Sequence, residues 1–177
     1  MNVLDKLEQF GEQMYKKRWY RVLMFVLILV GGMYVTLWTH EAIHFYYATK
    51  VLHTKAYIVY STYGIRGYCI FKGDDFWSYA SGGYITALLA LGGWYFYASL
   101  PTRRTLPYDF TLLYIFLWQL LYGTVEVIGF YYKQMWFYNI FAHLCAPVSF
   151  VIISCLYYNR LKEYWRGCVW SMKLYRQ

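Results

Sequence analysis

The chain has 177 residues, of which 60% are hydrophobic, 24% aromatic and only 15% charged, and its formal net charge is +8. Soluble domains carry about 25% charged residues, so a water-soluble globular domain is excluded and a single-domain polytopic membrane protein is expected. The cations are spread between apolar segments and at both ends rather than along one stripe, which argues against nucleic acid as a partner.

Residues 1–20 are expected to form an amphipathic surface helix. Val3, Leu7, Phe10 and Met14 recur at helical spacing, with Lys6, Lys16, Lys17 and Arg18 on the remaining positions. The first apolar run starts near Val22 and is too long for the apolar part of a signal peptide. Segment one, residues 21–49, has no charge from Val22 to Thr39 and continues directly into HEAIHFYYA. Residues 52–73 are rich in Tyr, Ile, Val and Thr and carry Gly64 and Gly67, a pattern of one or two β-strands with a glycine turn.

Segment two, residues 76–100, opens with the small residues Ser81, Gly82 and Gly83, which let membrane helices approach closely. A polar turn with two prolines, PTRRTLPYD, leads to segment three at 110–132 and then to segment four at 135–158. The stretch 159–177 reads as a basic, aromatic interfacial tail. The expected fold is therefore an all-α membrane protein of about four transmembrane helices at 21–158, with a small β-element between helices one and two. On that topology, twelve of the seventeen Lys and Arg fall on the side of the termini, which predicts both termini in the cytoplasm. Cys69, Cys145, Cys155 and Cys168 show no C-x-x-C spacing and suggest no cysteine zinc site.

One pattern carries chemistry. His40, Glu41 and His44 form H-E-x-x-H, and on a helix positions i and i+4 share a face, so both imidazoles can hold one metal ion. Zinc suits this ligand type. Glu41 is offset toward a water activated there, as general base and later proton donor to the leaving amine. Ionisable groups inside an apolar helix are costly and usually functional. The alternative is a pair of histidines that only hydrogen-bond neighbouring helices.

A catalytic zinc needs a third protein ligand. Segments one and three run the same way, and Glu126 lies close to the depth of His40. His143 on segment four reaches a similar level, and Asp74 or Asp75 lies at the right face but in a loop. Asp109 is about 25 Å away at 1.5 Å per residue. Glu126 is favoured, with His143 and then Asp74 or Asp75 as alternatives.

With HEAIHFYYA, Ala48 four residues after His44, the glycine-bearing YSTYGIRGYCIF and the small-residue opening ASGGYITALLALGG, the stretch 34–130 resembles the site-2 protease class of intramembrane zinc metalloproteases. That resemblance implies His40 and His44 as zinc ligands, Glu41 as catalytic base and an acidic third ligand from helix three. It also implies a membrane-embedded or membrane-adjacent protein segment as substrate, held as an extended strand by the β-region. The chain departs from the class pattern in two places. Gly82-Gly83-Tyr84 stands where the class has Gly-Pro and a nearby Asn, and QLLYGTVE stands where it has Asn-Pro and Asp-Gly. Charge counting also puts the site toward the outer face, whereas the class opens toward the cytoplasm. Two competing readings remain: a non-catalytic accessory subunit of a larger membrane complex that retains a metal site, and metal transport, for which segments two and four offer few polar residues.

Overall fold

The computed structural model describes residues 17–60, 67–100 and 105–166. The predicted surface helix, apart from its last residues, lies outside the described residues. So do the turn around Gly64, residues 101–104 and the tail beyond 166.

Helix α1 (Arg18–Tyr46) is long because its apolar run holds neither charge nor proline until His40. Its burial is inverted relative to a soluble helix. Val22, Leu23, Val26, Leu27, Val30 and Val35 are exposed, while Thr36, His40, Glu41 and His44 are buried. Apolar outside and ionisable inside is the arrangement of a helix in lipid. A π-helical turn, Tyr47–Val51, follows, and the Thr54 N–H closes it on the Ala48 carbonyl at 2.9 Å. Strands β1 (Tyr57–Tyr60) and β2 (Gly67–Ile70) then pair antiparallel, with Tyr60 opposite Gly67 and Ile58 opposite Cys69. Trp38 of α1 stacks on Tyr60 at 4.1 Å and fastens the hairpin to the helix.

Helix α2 (Phe76–Ser99) starts at Asp75, whose carboxylate accepts from the Ser78 N–H at 2.8 Å and caps the first turn. Its buried face is made of small residues, including Ala80, Ser81, Gly82, Gly83 and Ala87. Helix α3 (Leu106–Glu126), with Pro107 in its first turn, ends in a second π-helical turn, Val127–Tyr131. The α2 and α3 backbones touch at Gly83 and Gly123: a Cβ on Gly83 would lie 2.7 Å from the Gly123 nitrogen. Only paired glycines allow that approach.

Segment four is two helices rather than one. Helix α4 (Met135–Phe141) and helix α5 (Cys145–Leu156) are bent by 49° across a short turn. Helix α6 (Tyr158–Arg166) folds back onto the start of α1, where the Tyr164 hydroxyl donates to the Arg21 carbonyl at 3.0 Å.

Contacts give the directions. Phe25 packs on Phe110 at one end, and His40 meets Gln119 near the other, so α1 and α3 run parallel. Trp94 reaches Asp109 while Gly83 meets Gly123, so α2 runs antiparallel to both. Two helical stretches, Trp19–Val51 and Leu106–Tyr131, are long and apolar enough to cross a membrane, and a third qualifies if the bent pair α4–α5 counts as one span. Helix α2 has the length, but its Tyr, Trp, Ser and Gly content lowers its hydropathy. The count by length and composition is thus two or three, against the four expected.

The apolar core gathers at the end away from the histidines, around Phe25, Phe110, Tyr114, Ile153, Tyr157 and Tyr164. Within it, Asp109 is fully buried. It accepts from Trp94 Nε1 at 2.8 Å and Tyr157 Oη at 3.1 Å, and it pairs with Arg160 Nη1 at 3.4 Å. One carboxylate so joins α2, α3 and the α5–α6 junction. Replacing Asp109 with Ala should destabilise the fold by about 3–5 kcal/mol, because buried donors lose their acceptor. Unfolding in mixed micelles measures this, and a loss below ~1 kcal/mol would show that water takes over the carboxylate's role.

Candidate metal centre

The last two turns of α1 aim His40 and His44 at the same spot, and the end of α3 delivers Glu126 to it. His40 Nε2 and His44 Nε2 are 3.2 Å apart. Glu126 Oε2 lies 3.4 Å from His40 Nε2 and 3.8 Å from His44 Nε2. The three can offer one ligand atom each, all within 4.8 Å of one another, and could hold a metal ion. The distances test that fit. Ligands about 2.0–2.1 Å from a tetrahedral ion are separated from each other by about 3.3 Å. The triangle of 3.2, 3.4 and 3.8 Å is close to one face of such a tetrahedron. Glu126 Oε2 is also buried without a hydrogen-bond partner, a costly state for a carboxylate oxygen unless a cation shares the site.

His40 is held from its other ring nitrogen. Its Nδ1 meets Gln119 Oε1 at 2.8 Å. Gln119 is only 3% exposed and sits on the Glu126 face of α3, two turns earlier. An amide oxygen there accepts the Nδ1–H and leaves the Nε2 lone pair facing His44 and Glu126. For His44 the corresponding partner is Ser81 Oγ, at 3.4 Å from Nδ1 and fully buried. Gly82, next along α2, makes room: a Cβ there would lie 2.8 Å from His40 Nε2 and closer still to His44 Nε2.

Glu41 stands beside this triangle rather than in it. It is 6% exposed, and strand β2 packs against it. A Cβ on Gly67 would meet the Tyr60 ring at 2.7 Å and Glu41 Cγ at 3.2 Å, so glycine lets the strand lie against the helix. Burial, and then the Glu41 charge, push the Cys69 thiol up to about 11, which keeps it protonated and a poor metal ligand.

All four residues line a cavity of about 860 Å³ between α1, β2, α3 and the α4–α5 bend. The other predicted ligands are elsewhere. His143 lies in the turn between α4 and α5, exposed at the rim of that cavity and outside the cluster. Asp75 is occupied as the α2 cap and also accepts from the Tyr47 hydroxyl at 3.1 Å, and Asp74 is exposed. The sequence reading missed Gln119 and the neighbouring Tyr122. A polar amide at the centre of an otherwise apolar segment was the signal for the first. Comparison of the chain with family models, with curated proteins and with solved structures finds no match.

Proposed function

We propose that the chain is an intramembrane zinc metalloprotease of the kind its HEAIH motif resembles. The observation that supports this most is the near-tetrahedral triangle of His40, His44 and Glu126 with the buried Glu41 carboxylate beside it. In this reading His40, His44 and Glu126 hold zinc, with Gln119 and Ser81 orienting the imidazoles. Bound zinc supplies a Lewis acid and lowers the pKa of water toward neutrality. Glu41 takes the proton of the attacking water and returns it to the leaving amine. The substrate is a membrane-embedded or membrane-adjacent segment of another protein, entering in extended form and running along the free edge of β2.

The same reading takes α1, α2, α3 and the bent α4–α5 pair as four spans, with both termini in the cytoplasm and the hairpin on the opposite side. The charge distribution favours it.

The test is metal analysis and cleavage together. Detergent-purified chain should carry about one zinc, lose it in the His40→Ala and Glu126→Ala variants, and cleave a single-span substrate in a reaction stopped by 1,10-phenanthroline and restored by zinc. Zinc-free wild-type protein would leave HEAIH as a hydrogen-bonded contact between helices and overturn the proposal. Bound zinc with no cleavage of a panel of membrane segments would favour the accessory-subunit reading.

A further inference from the structure

Peptide hydrolysis at such a centre needs a donor for the carbonyl oxygen as it gains charge. Among the described residues, the cavity lining holds no lysine or arginine. Its side-chain donors can be sorted by what they already do. Gln119 is engaged with His40, and the Tyr79 hydroxyl donates to the Gly73 carbonyl at 2.9 Å. Asn139 and His143 are exposed at the rim. Ser78 Oγ, in the first turn of α2, is buried without a hydrogen-bond partner among the described residues and packed against Gly73.

Tyr68 is exposed on β2, and Trp118 stacks on Tyr114 one turn before Tyr122. Tyr122 and Tyr138 are the donors packed closest to the metal-capable cluster's His40 face. Tyr122 lies one turn before Glu126 on α3, and its ring packs edge-on against His40 with centroids 5.5 Å apart. Its hydroxyl is 3.0 Å from the Tyr138 hydroxyl. Tyr138 is held by α4, where its ring lies 4.7 Å from Phe130 and its Cβ occupies the space a side chain on Gly129 would need. Both line the cavity that contains the metal cluster. Two hydroxyls in mutual contact carry two protons, and their bond uses one. With Tyr138 donating to Tyr122, the Tyr122 proton is left to point into the cavity and is made a stronger donor by the bond it accepts.

We propose that the Tyr122–Tyr138 hydroxyl pair is the oxyanion donor of this site, with Tyr122 touching the substrate oxygen and Tyr138 positioning it. The proposal rests on the peptidase reading above. In the step, the water oxygen bonds to the peptide carbonyl carbon while its proton passes to Glu41. The carbonyl π-electrons move onto oxygen, which accepts the Tyr122 hydrogen bond. The C–N bond then breaks as those electrons return and the proton on Glu41 goes to the leaving nitrogen; the second proton of the water follows it, giving a carboxylate and an ammonium group.

The test compares Tyr122→Phe and Tyr138→Phe with wild type in detergent, all zinc-loaded. Three readouts are used: zinc content, the kcat and KM for a single-span substrate, and calorimetric affinity for a phosphinic pseudo-peptide, whose tetrahedral anion mimics the charged oxygen. Tyr122→Phe should keep its zinc, lose about 100-fold in kcat with little change in KM, and bind the phosphinate at least about tenfold more weakly. Tyr138→Phe should show the same pattern at about one-tenth of the kcat loss. Unchanged kcat and phosphinate affinity in Tyr122→Phe, beside an active wild type, would overturn the hydroxyl role and leave the peptidase reading intact. Loss of zinc in that variant would also overturn it, making the residue a structural prop of His40. A zinc-loaded wild type that neither cleaves nor binds the phosphinate would remove the peptidase reading, and this assignment with it.

Discussion

Glu41→Gln should abolish cleavage while leaving the zinc in place. The two consequences separate because Glu41 is near the ligand triangle but contributes no atom to it. Glutamine has the shape of glutamate, so the packing of β2 on this side chain survives. What it cannot do is take a proton. General-base catalysis of this kind contributes about 10²–10⁴-fold, and the variant should lose at least that. A second readout is independent of turnover. The Glu41 charge is one of two causes that hold the Cys69 thiol up, after burial. Removing that charge lowers the thiol pKa, raises its thiolate fraction at a given pH, and should speed alkylation of Cys69 resolved by peptide mass spectrometry. Unchanged cleavage in the variant would show that Glu41 is not the base. Slower cleavage together with zinc loss would show that it supports the metal instead.

Gly82→Ala should remove the metal without altering any ligand. In an open helix this exchange stabilises by about 0.5–1 kcal/mol, since alanine is the better helix former. Here the added methyl falls on the nitrogens of both imidazoles, 2.8 Å from His40 Nε2 and nearer to His44. The imidazoles cannot turn away without leaving Gln119 and Ser81, and α2 cannot retreat because Gly83 is already against Gly123. Zinc affinity should fall by at least about 100-fold, the upper range seen when a histidine loses its orienting partner. Gly92→Ala is the control on the same helix, because a Cβ there meets nothing within 4 Å. Competition with a fluorescent zinc chelator measures both. Equal affinity in Gly82→Ala and wild type would mean that the imidazoles have another arrangement in which to bind.

The contrast between these two residues shows how far the sequence could be read. Glu41 and both histidines were legible because a five-residue pattern on a helix fixes its own geometry. Glu126 could be reached from depth alone, because α1 and α3 run parallel and rise equally per residue; the structure sets its Oε2 3.4 Å from His40 Nε2. His143 satisfied the same depth argument, but that argument assumed a continuous fourth helix. The turn between Phe141 and Cys145 breaks it and carries His143 out to the rim. The partners Gln119 and Ser81 depend on which faces α2 and α3 turn toward α1. Glycine packing at Gly83 and Gly123 sets those faces, and no local pattern does. Helix α2 was read as a span from the length of its apolar stretch, yet its tyrosines and glycines hold its hydropathy below that of α1 and α3.

The two π-helical turns have a further consequence. Each begins almost at once after its helix's last residue in the cluster that could hold a metal ion: Tyr47–Val51 after His44, and Val127–Tyr131 after Glu126. A π-turn stores one more residue than an α-turn in the same run of helix. A residue gained or lost there can be absorbed by interconverting the two forms of turn, without rotating the helix that precedes it. In an uninterrupted helix the same change would swing everything on one side of it by about 100°. The turns therefore act as slack joints. Loops and hairpins beyond them can lengthen or shorten while His40, His44 and Glu126 keep their mutual aim.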